Sequence, residues 1–251
     1  MTDHPLRTLA CRVVGLADAT HDTRIVSLEA VDGTRFDFAA GQYAVVRFAG
    51  LPGRDYSMAN RPGATPLEFH IRRMAGAGAS VHATRDLALG DAVTIEGPYG
   101  DGWLRTDHGG PILAVAGGSG LAPMKAIVET ALAVGMSQDI DLYFGVREER
   151  DVYLADHFEA LAAARANFRF IAVLSDEPGA TARRRGPLDA AVLADFADFA
   201  GFKAYLAGPP AMVDATVEAL AAHGLPRADI HADPFVTDAE KRARQRARDA
   251  S

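Results

Sequence analysis

The sequence predicts an antiparallel β-barrel followed by an α/β unit with a parallel sheet. Up to about residue 105, short segments rich in Val, Ile, Phe and Tyr are separated by turns rich in Gly, Pro and Asp, which is typical of antiparallel barrels and sandwiches. After Gly-Gly-Pro at 109–111, apolar strands alternate with helical patterns, which indicates a parallel sheet with right-handed crossovers. We therefore place the first domain at residues 1–106, the second at 107–236 and a charged tail at 237–251.

Local composition predicts the elements of the first domain. Its predicted strands are CRVVGL, RIVSLEAV, QYAVVRF, LEFHIRR and AVTIEG. Turns such as VDG, PGRD and RPGATP separate them, because Gly supplies unusual backbone angles and Pro cannot donate to a strand ladder. One short helix is predicted near Ser80 to Leu87.

The second domain has longer elements. ILAVAGG is a continuous apolar run, as expected for a strand buried on both faces, and DLYFGV, FRFIAVLS and KAYLAG follow it. The sequence predicts helices at about residues 122–134, 153–164, 188–196 and 211–223.

Composition excludes several classes of protein. The 251 residues include 26 Lys and Arg against 33 Asp and Glu, so the net charge is 26 − 33 = −7, and we expect no nucleic-acid partner. No run approaches about 18 apolar residues and the N-terminus lacks a signal-peptide pattern, so we expect a cytoplasmic chain without a membrane segment. Cys11 is the single cysteine, too few for an internal disulfide or an iron–sulfur cluster. The eight His residues form no metal motif such as HExxH, so no metal site is expected.

Two glycine-containing turns mark a candidate ligand site in the second domain. Residues 117–123, Gly-Gly-Ser-Gly-Leu-Ala-Pro, link a strand to a helix, as does Ala-Gly-Pro-Pro at 207–210. Glycines let a ligand approach the backbone, and a helix N-terminus offers free N–H groups to an anion. Such turns share the carboxyl edge of a parallel sheet, where Gly145 also ends a strand. A tight turn without a ligand is the alternative for the first motif taken alone.

Arg54, Tyr56 and Ser57 form a candidate site in the first domain, directly after a Pro-Gly turn. An arginine pairs well with phosphate, a tyrosine ring offers a stacking surface, and a serine offers a donor. A structural ion-pair site is the alternative. The segment Gly76-Ala77-Gly78-Ala79-Ser80-Val81 runs into the short helix and is a second candidate phosphate cradle, so the two domains suggest two nucleotides.

Taken in order, RDYS, HIRR, GAGAS, GPYG, GGSGLAP, GPPAM and HADPF resemble the ferredoxin–NADP reductase superfamily. More narrowly, they are similar to the flavin–NAD reductase components of bacterial ring-hydroxylating oxygenases. The resemblance covers about residues 8–236. It implies a barrel that binds FAD, an α/β domain that binds NAD(P)H, and hydride transfer from the nicotinamide to the flavin.

The resemblance also implies roles for single residues. Arg54 would meet the flavin phosphate, Tyr56 would pack on the isoalloxazine ring, and Ser57 would lie near flavin N5. Phe235 would cover the other flavin face and move for the nicotinamide, so Ser57 and Phe235 are the candidate catalytic residues. The other implied flavin residues are His70, Ile71, Arg73, Ala79 and Ser80, the last two favouring FAD over FMN by holding a pyrophosphate. The implied nucleotide residues are Gly118, Gly120, Pro123, Gly208, Pro209 and Met212.

Asp176 predicts NADH as the electron donor. A carboxylate near the adenosine ribose suits two free hydroxyls and repels a 2′-phosphate. Arg147 and the run Arg183-Arg184-Arg185 are the features that favour NADPH instead, although a solvated loop is the simpler interpretation of the run.

Two departures from the family pattern bear on function. The family's usual cysteine before Gly-Pro-Pro is Ala207 here, so we expect a looser or differently supported nicotinamide. Many oxygenase reductases also carry a 2Fe–2S domain in the same chain. With one cysteine we expect none here, so that electrons leave from the flavin itself.

The expected function is therefore an NAD(P)H-dependent FAD reductase that passes electrons singly to a separate ferredoxin or iron–sulfur oxygenase component. One alternative is an NAD(P)H:free-flavin reductase. Another is a flavin- and nucleotide-binding regulatory subunit, which Ala207 favours. The basic tail is either a solvated chain end or a docking arm for an acidic ferredoxin.

Overall fold

The computed structural model describes residues 4–236, which form two six-stranded sheets. The first sheet is antiparallel throughout, and the second is parallel throughout. The predicted fold class, an antiparallel barrel followed by a parallel α/β unit, is thereby confirmed. The tail predicted at 237–251 lies outside the described residues. Within residues 4–236, none of the helices has the length and apolar character needed to cross a bilayer.

Six strands and one short helix build the barrel. They are β1 Arg7–Asp18, β2 Thr23–Ala30, β3 Tyr43–Phe48, β4 Arg54–Ser57, β5 Leu67–Arg72, α1 Ala79–Arg85 and β6 Ala92–Tyr99. The strand order is β4-β3-β6-β1-β2-β5. A bridge between Met58 and Phe69 links the end of β4 to β5, so the sheet closes almost completely and few strand edges stay free.

Alternation of side chains lets this sheet curl around one core. On β1, Leu9, Cys11 and Val13 point inward and their neighbours are exposed, as the two-residue period of a strand requires. Burial raises the pKa of the Cys11 thiol to about 11. The single cysteine is therefore a core residue that stays protonated and unreactive at neutral pH.

The second sheet alternates strands with helices. Its elements are β7 Ile112–Gly117, α2 Leu121–Ala133, β8 Ile140–Val146, α3 Ala155–Ala164, β9 Phe168–Leu174, β10 Arg184–Arg185, α4 Leu188–Asp195, β11 Lys203–Gly208, α5 Pro210–Ala222 and β12 Ile230–Pro234. The strand order is β10-β9-β8-β7-β11-β12. All of β7 is buried, with Ala114 in the core cluster on one face and Val115 in the cluster on the other. This burial explains why ILAVAGG is an uninterrupted apolar run.

Four elements differ from the sequence prediction. Arg184–Arg185, interpreted as part of a solvated loop, form the short strand β10 because they pair with β9. Arg54–Ser57 form a strand because β3 supplies their hydrogen-bond partners, and Ile230–Pro234 form one because they pair with β11. Helix α3 begins at Ala155 and leaves Tyr153 outside, because Leu154 has a left-handed φ of 56° that a helix does not accommodate. The domain division at residue 106 stays a prediction, since the structure shows only that residues 100–111 join the two sheets.

Candidate functional site

The carboxyl edge of the parallel sheet has a topological switch point between β7 and β11. From β7 the chain continues to β8 and β9 on one side, and it then returns to β11 on the other side. Open α/β sheets bind ligands in the crevice where such neighbouring loops diverge. The two predicted turns, 117–123 and 207–210, are the turns that follow β7 and β11.

The two turns touch each other so closely that they leave no space for side chains. A Cβ atom placed on Gly120 would overlap the carbonyl group of Ala207. One placed on Gly208 would lie 2.8 Å from the carbonyl oxygen of Gly117. Gly118 and Gly208 also have positive φ angles of 54° and 141°, which other residues adopt with strain. The close approach of the turns therefore requires glycine at these positions.

The first turn leads into α2, whose N-terminus faces the same edge. Within the described chain no side chain caps this helix, and its first turn contains no acidic residue. A 3₁₀ turn, Gly118–Gly120, runs directly into α2, and the N–H of Leu121 already donates to carbonyl groups of that turn. The helix dipole and the N–H groups at the start of the 3₁₀ turn favour an anion at this end. Pro123 sits in the first turn of α2, where its missing N–H costs no helical hydrogen bond. The geometry fits a phosphate of a nucleotide.

Three more predicted residues lie beside these turns. The nearest carbons of Pro209 and Met212 are both 2.7 Å from a Cβ atom placed on Gly117. The backbone N–H of Phe235 donates to the carbonyl oxygen of Gly208 at 2.8 Å. The structure thus brings together Gly118, Gly120, Pro123, Gly208, Pro209, Met212 and Phe235.

Gly145, Arg147 and Asp176 lie farther along the same edge. Gly145 leaves space for a packed side chain, because a Cβ atom there would lie 2.8 Å from a methyl carbon of Leu188. The backbone N–H of Asp176 donates to the carbonyl oxygen of Arg147 at 2.9 Å, and both side chains are exposed. The hydroxyl of Ser175 donates to the Asp176 carboxylate at 2.9 Å, so this carboxylate stands at the open edge of the sheet.

Two arginines of the 183–185 run already pair with carboxylates. Nε of Arg183 lies 2.7 Å from the Glu149 carboxylate, and Nη1 of Arg184 lies 2.8 Å from that of Asp195. Their positive charges are therefore compensated within the protein, which makes them poor candidates for binding a 2′-phosphate.

Strand β4 positions the RDYS segment in the barrel. Its register with β3 places Tyr56 opposite Ala44 and Ser57 opposite Tyr43. Arg54 is exposed, Tyr56 is half-buried against the barrel core, and Ser57 is buried. Burial raises the pKa of the Tyr56 phenol, so the ring stays uncharged and suits stacking on an aromatic ligand.

A cavity of about 350 Å³ opens beside the predicted phosphate cradle of the barrel. It is lined by His21, Asp22, Arg73, Met74, Ala75, Gly76, Val81 and Arg85. Arg73 is fixed there, since its Nη2 donates to the carbonyl oxygen of His21 at 2.8 Å. Ala79 is buried at the start of α1, and the Ser80 hydroxyl accepts the N–H of Met74 at 3.1 Å. Arg73 and Arg85 line the cavity, and the lining carboxylate of Asp22 is paired with Arg72, so the cavity suits an anionic group such as a pyrophosphate.

Strand β5 brings the barrel into contact with the α/β part. Ile71 faces inward and belongs to the barrel core, whereas His70 and Arg72 point outward, as alternation in a strand requires. Nη1 of Arg72 is 3.6 Å from a Cβ atom placed on Gly118, and its Nε donates to Asp22 at 2.7 Å. The outward side of β5 therefore lies against the glycine turn after β7.

Arg72, Lys125 and Tyr153 all lie where the two parts meet, and none of them was predicted as a site residue. The alternation in LEFHIRR was a usable signal for Arg72, since it places Glu68, His70 and Arg72 on one face. No sequence pattern indicates Lys125 or Tyr153, because the barrel residues that they contact, Ala59 and His70, are remote from them in sequence.

Two family profiles match the chain. The one described as "Oxidoreductase FAD-binding domain" matches residues 10–103, and "Oxidoreductase NAD-binding domain" matches residues 114–218. The ferredoxin–NAD(P)(+) reductase component of the naphthalene 1,2-dioxygenase/salicylate 5-hydroxylase systems of Ralstonia sp is 40% identical over 232 residues, which are 92% of this chain and 70% of that protein. The aromatic O-demethylase reductase subunit of Amycolatopsis sp. is 40% identical over 238 residues, 92% of this chain and 70% of its own.

Solved structures agree with these relatives. An Amycolatopsis cytochrome P450 reductase superposes with a TM-score of 0.88 at 39% identity, covering 94% of this chain and 74% of its own. A ferredoxin reductase in carbazole 1,9a-dioxygenase gives 0.86 at 27% identity, covering 94% and 71%.

The barrel, the two turns at the switch point and the two family profiles together identify a two-part oxidoreductase. It binds FAD on the barrel and NAD(P)H on the parallel sheet. The chain belongs to the ferredoxin reductase family. The expected cofactors are thereby confirmed, while the roles of the individual site residues stay predictions.

Proposed function

We propose that this chain transfers hydride from NADH to bound FAD and passes the electrons singly to a separate ferredoxin or iron–sulfur oxygenase component. The observation that carries the proposal is the contact between the glycine turn after β7 and strand β5 of the barrel, which sets the nucleotide-binding and flavin-binding surfaces side by side. Hydride transfer needs the reacting atoms about 3–3.5 Å apart. When bound, the cofactors supply the redox chemistry itself.

The electron count explains the need for such an enzyme. One NADH gives up a hydride, which is two electrons and a proton, whereas an iron–sulfur centre accepts a single electron. Each NADH therefore reduces two acceptor molecules, leaving NAD⁺ and one proton. The relatives described above are reductase components of dioxygenase, hydroxylase and demethylase systems, which supports an acceptor of this kind.

The protein's own residues orient the reactants and exclude water. Ser57 is buried at the end of β4, and its hydroxyl is proposed to donate a hydrogen bond near flavin N5. Phe235 is joined through its backbone to Gly208 and is proposed to cover the flavin until the nicotinamide takes its place, a gating step of a kind that often limits turnover. No side chain has to act as a general base, because bound FAD would take the hydride directly from NADH.

The exposed carboxylate of Asp176 supports NADH as the preferred donor. It stands at the carboxyl edge of β9, where it would accept hydrogen bonds from ribose hydroxyls and repel a 2′-phosphate. A comparison of kcat/KM for NADH and NADPH tests this preference. Asp176→Ala should lower the ratio of kcat/KM for NADH to kcat/KM for NADPH. A wild-type preference for NADPH would contradict it.

An anaerobic titration of the purified, FAD-loaded chain with NADH tests the proposal as a whole. One equivalent of NADH should bleach the flavin absorbance, and two equivalents of an oxidised 2Fe–2S ferredoxin should restore it. Unbleached flavin would overturn the reductase function and favour a regulatory subunit. FAD that leaves the protein during gel filtration, with full activity on added flavin, would favour a free-flavin reductase instead.

A further inference from the structure

A buried polar contact joins the barrel to the α/β part at the outer face of β5. We call it the β5 seam; it consists of Glu68 and His70 from β5, Lys125 from α2 and Tyr153, which precedes α3. His70 is 3% exposed, Tyr153 is 5% and Lys125 is 9%. Polar groups buried this deeply need partners, and each of these finds one across the seam or within it.

His70 connects two of the seam residues. Its Nδ1 is 3.1 Å from the Tyr153 hydroxyl, and its Nε2 is 2.9 Å from the Glu68 carboxylate. The His70 and Tyr153 rings meet edge to face with their centroids 5.4 Å apart. The Tyr153 hydroxyl also lies 3.5 Å from the carbonyl oxygen of Gly118. A line of contacts therefore runs from the barrel strand to the glycine turn.

The hydrogens along this line can be assigned. Burial alone would raise the pKa of Glu68, but the hydrogen bond to His70 and the charge of Lys125 outweigh it and bring the pKa to about 2. Glu68 is thus an ionised acceptor, whereas burial lowers the pKa of His70 and keeps it neutral. Nε2 must carry the hydrogen that is donated to Glu68, which leaves Nδ1 to accept from Tyr153. The Tyr153 hydroxyl has a single hydrogen, so its 3.5 Å approach to the carbonyl oxygen of Gly118 is a packing contact and not a second hydrogen bond. Both hydrogen bonds therefore have a fixed direction.

Lys125 ties the helix that follows the glycine turn to the same strand. Its Nζ lies 3.3 Å from the carboxylates of both Glu68 and Glu129, and it donates to the carbonyl oxygen of Ala59 at 3.3 Å. Glu68 and Ala59 belong to the barrel, whereas Glu129 lies on α2 with Lys125. The start of α2 is thus fixed from two sides, by Lys125 and by the pair of His70 and Tyr153.

We propose that His70 and Tyr153 are a positioning pair that holds the glycine turn after β7 at a fixed distance from strand β5. The inference rests on the proposed function, because this distance matters only if hydride crosses between the two parts. Both residues act through other groups, namely the Gly118 carbonyl and the β5 backbone. A misplacement of about 1 Å slows such a reaction by about 10²-fold, so a loosened turn reduces the rate of hydride transfer more than the affinity for NADH.

The test compares Tyr153→Phe and His70→Phe with the matched control Tyr143→Phe. Tyr143 is equally buried and hydrogen-bonded to Asp195 at 2.5 Å, but it packs in the core cluster on the opposite face of the parallel sheet. Anaerobic stopped-flow of the FAD-loaded chain gives the limiting rate of flavin reduction and the half-saturating NADH concentration. Both seam variants should lose about tenfold in limiting rate, with a change of less than about twofold in half-saturation. The control should match the wild type.

A double variant distinguishes two residues that act as one pair from two residues that each loosen the structure independently. If the two residues act as one unit, H70F/Y153F is no slower than the slower single variant. Amide hydrogen exchange at residues 118–121 adds a readout independent of activity, and it should quicken in Tyr153→Phe but not in Tyr143→Phe. Tyr153→Phe removes one oxygen atom and keeps the ring, so it carries the test even if His70→Phe does not fold.

Three results would overturn the positioning role. They are an unchanged limiting rate in Tyr153→Phe, an equal slowing in Tyr143→Phe, and effects that multiply in the double variant. Failure of the wild-type chain itself to reduce its flavin with NADH would instead overturn the proposed function.

Discussion

Replacing Gly120 by alanine should push the two glycine turns apart without straining the backbone. Gly120 has a φ of −59°, which alanine adopts readily. Its new Cβ atom, however, would lie 2.5 Å from the carbonyl carbon of Ala207 and 2.9 Å from the nitrogen of Gly208. Since ordinary contact begins at 3.4 Å, the turns must separate by at least 3.4 − 2.5 = 0.9 Å.

The size of this displacement sets the expected effects of Gly120→Ala. Forcing a methyl group into a packed site costs about 1–3 kcal/mol, so the free energy of unfolding should fall by that amount. A shift of about 1 Å in a reactant's position costs about 10² in rate, and we expect a loss of this order in kcat/KM for NADH. FAD should be retained, because the barrel is unchanged.

Gly109→Ala is the matched control for this experiment. A Cβ atom on Gly109 meets no atom of the described chain within 4 Å, and its φ is outside the left-handed region. Urea unfolding would measure stability, and stopped-flow reduction by NADH would measure the reaction. Wild-type reduction kinetics in Gly120→Ala would refute the close contact of the turns, as would equal losses in both variants.

Three further predictions concern Ser57 in the barrel, Phe235 beside the glycine turns and Glu68 in the seam. Ser57→Ala should slow flavin reduction severalfold without releasing FAD, because it removes the proposed donor near flavin N5; an unchanged stopped-flow rate would contradict that role. Phe235→Ala should raise nucleotide affinity, since no ring has to be displaced, and it should alter the reduction rate; if both stay at wild-type values, Phe235 is not a gate. Glu68 has a folded-state pKa of about 2, compared with an ordinary value of 4.5. Its ionised form therefore contributes at most about 3 kcal/mol to the free energy of unfolding. This contribution is complete above pH 4.5 and is lost as the pH falls from 4.5 towards 2. Urea midpoints should therefore fall less steeply with acidification in Glu68→Gln than in the wild type, and parallel curves would contradict this assignment.

The parts of the fold that the sequence predicted are those governed by local patterns. ILAVAGG identified a strand buried on both faces, and the turn 117–123 identified the crevice edge, because apolar runs and glycines act through neighbouring residues. Strands Arg54–Ser57 and Ile230–Pro234 were missed because their polar sequences become strands only beside β3 and β11. The pairing of His70 with Tyr153 spans 83 residues, and no local pattern in one sequence reports a contact of that range.

The polarity of the β5 seam is itself informative about its role. An apolar contact of the same size would often be as stable or more stable. The reason is that burying Glu68 and Lys125 removes their hydration, and the attraction between the two charges offsets only part of that cost. Apolar burial is non-directional, so an apolar seam would tolerate sliding of one part over the other. Hydrogen bonds weaken steeply when donor, hydrogen and acceptor are not in line. Each of the two hydrogen bonds of His70 has one defined direction. We infer that the polar seam lowers stability but fixes the alignment of the barrel with the α/β part. A hydride transfer between two separately held cofactors requires this alignment.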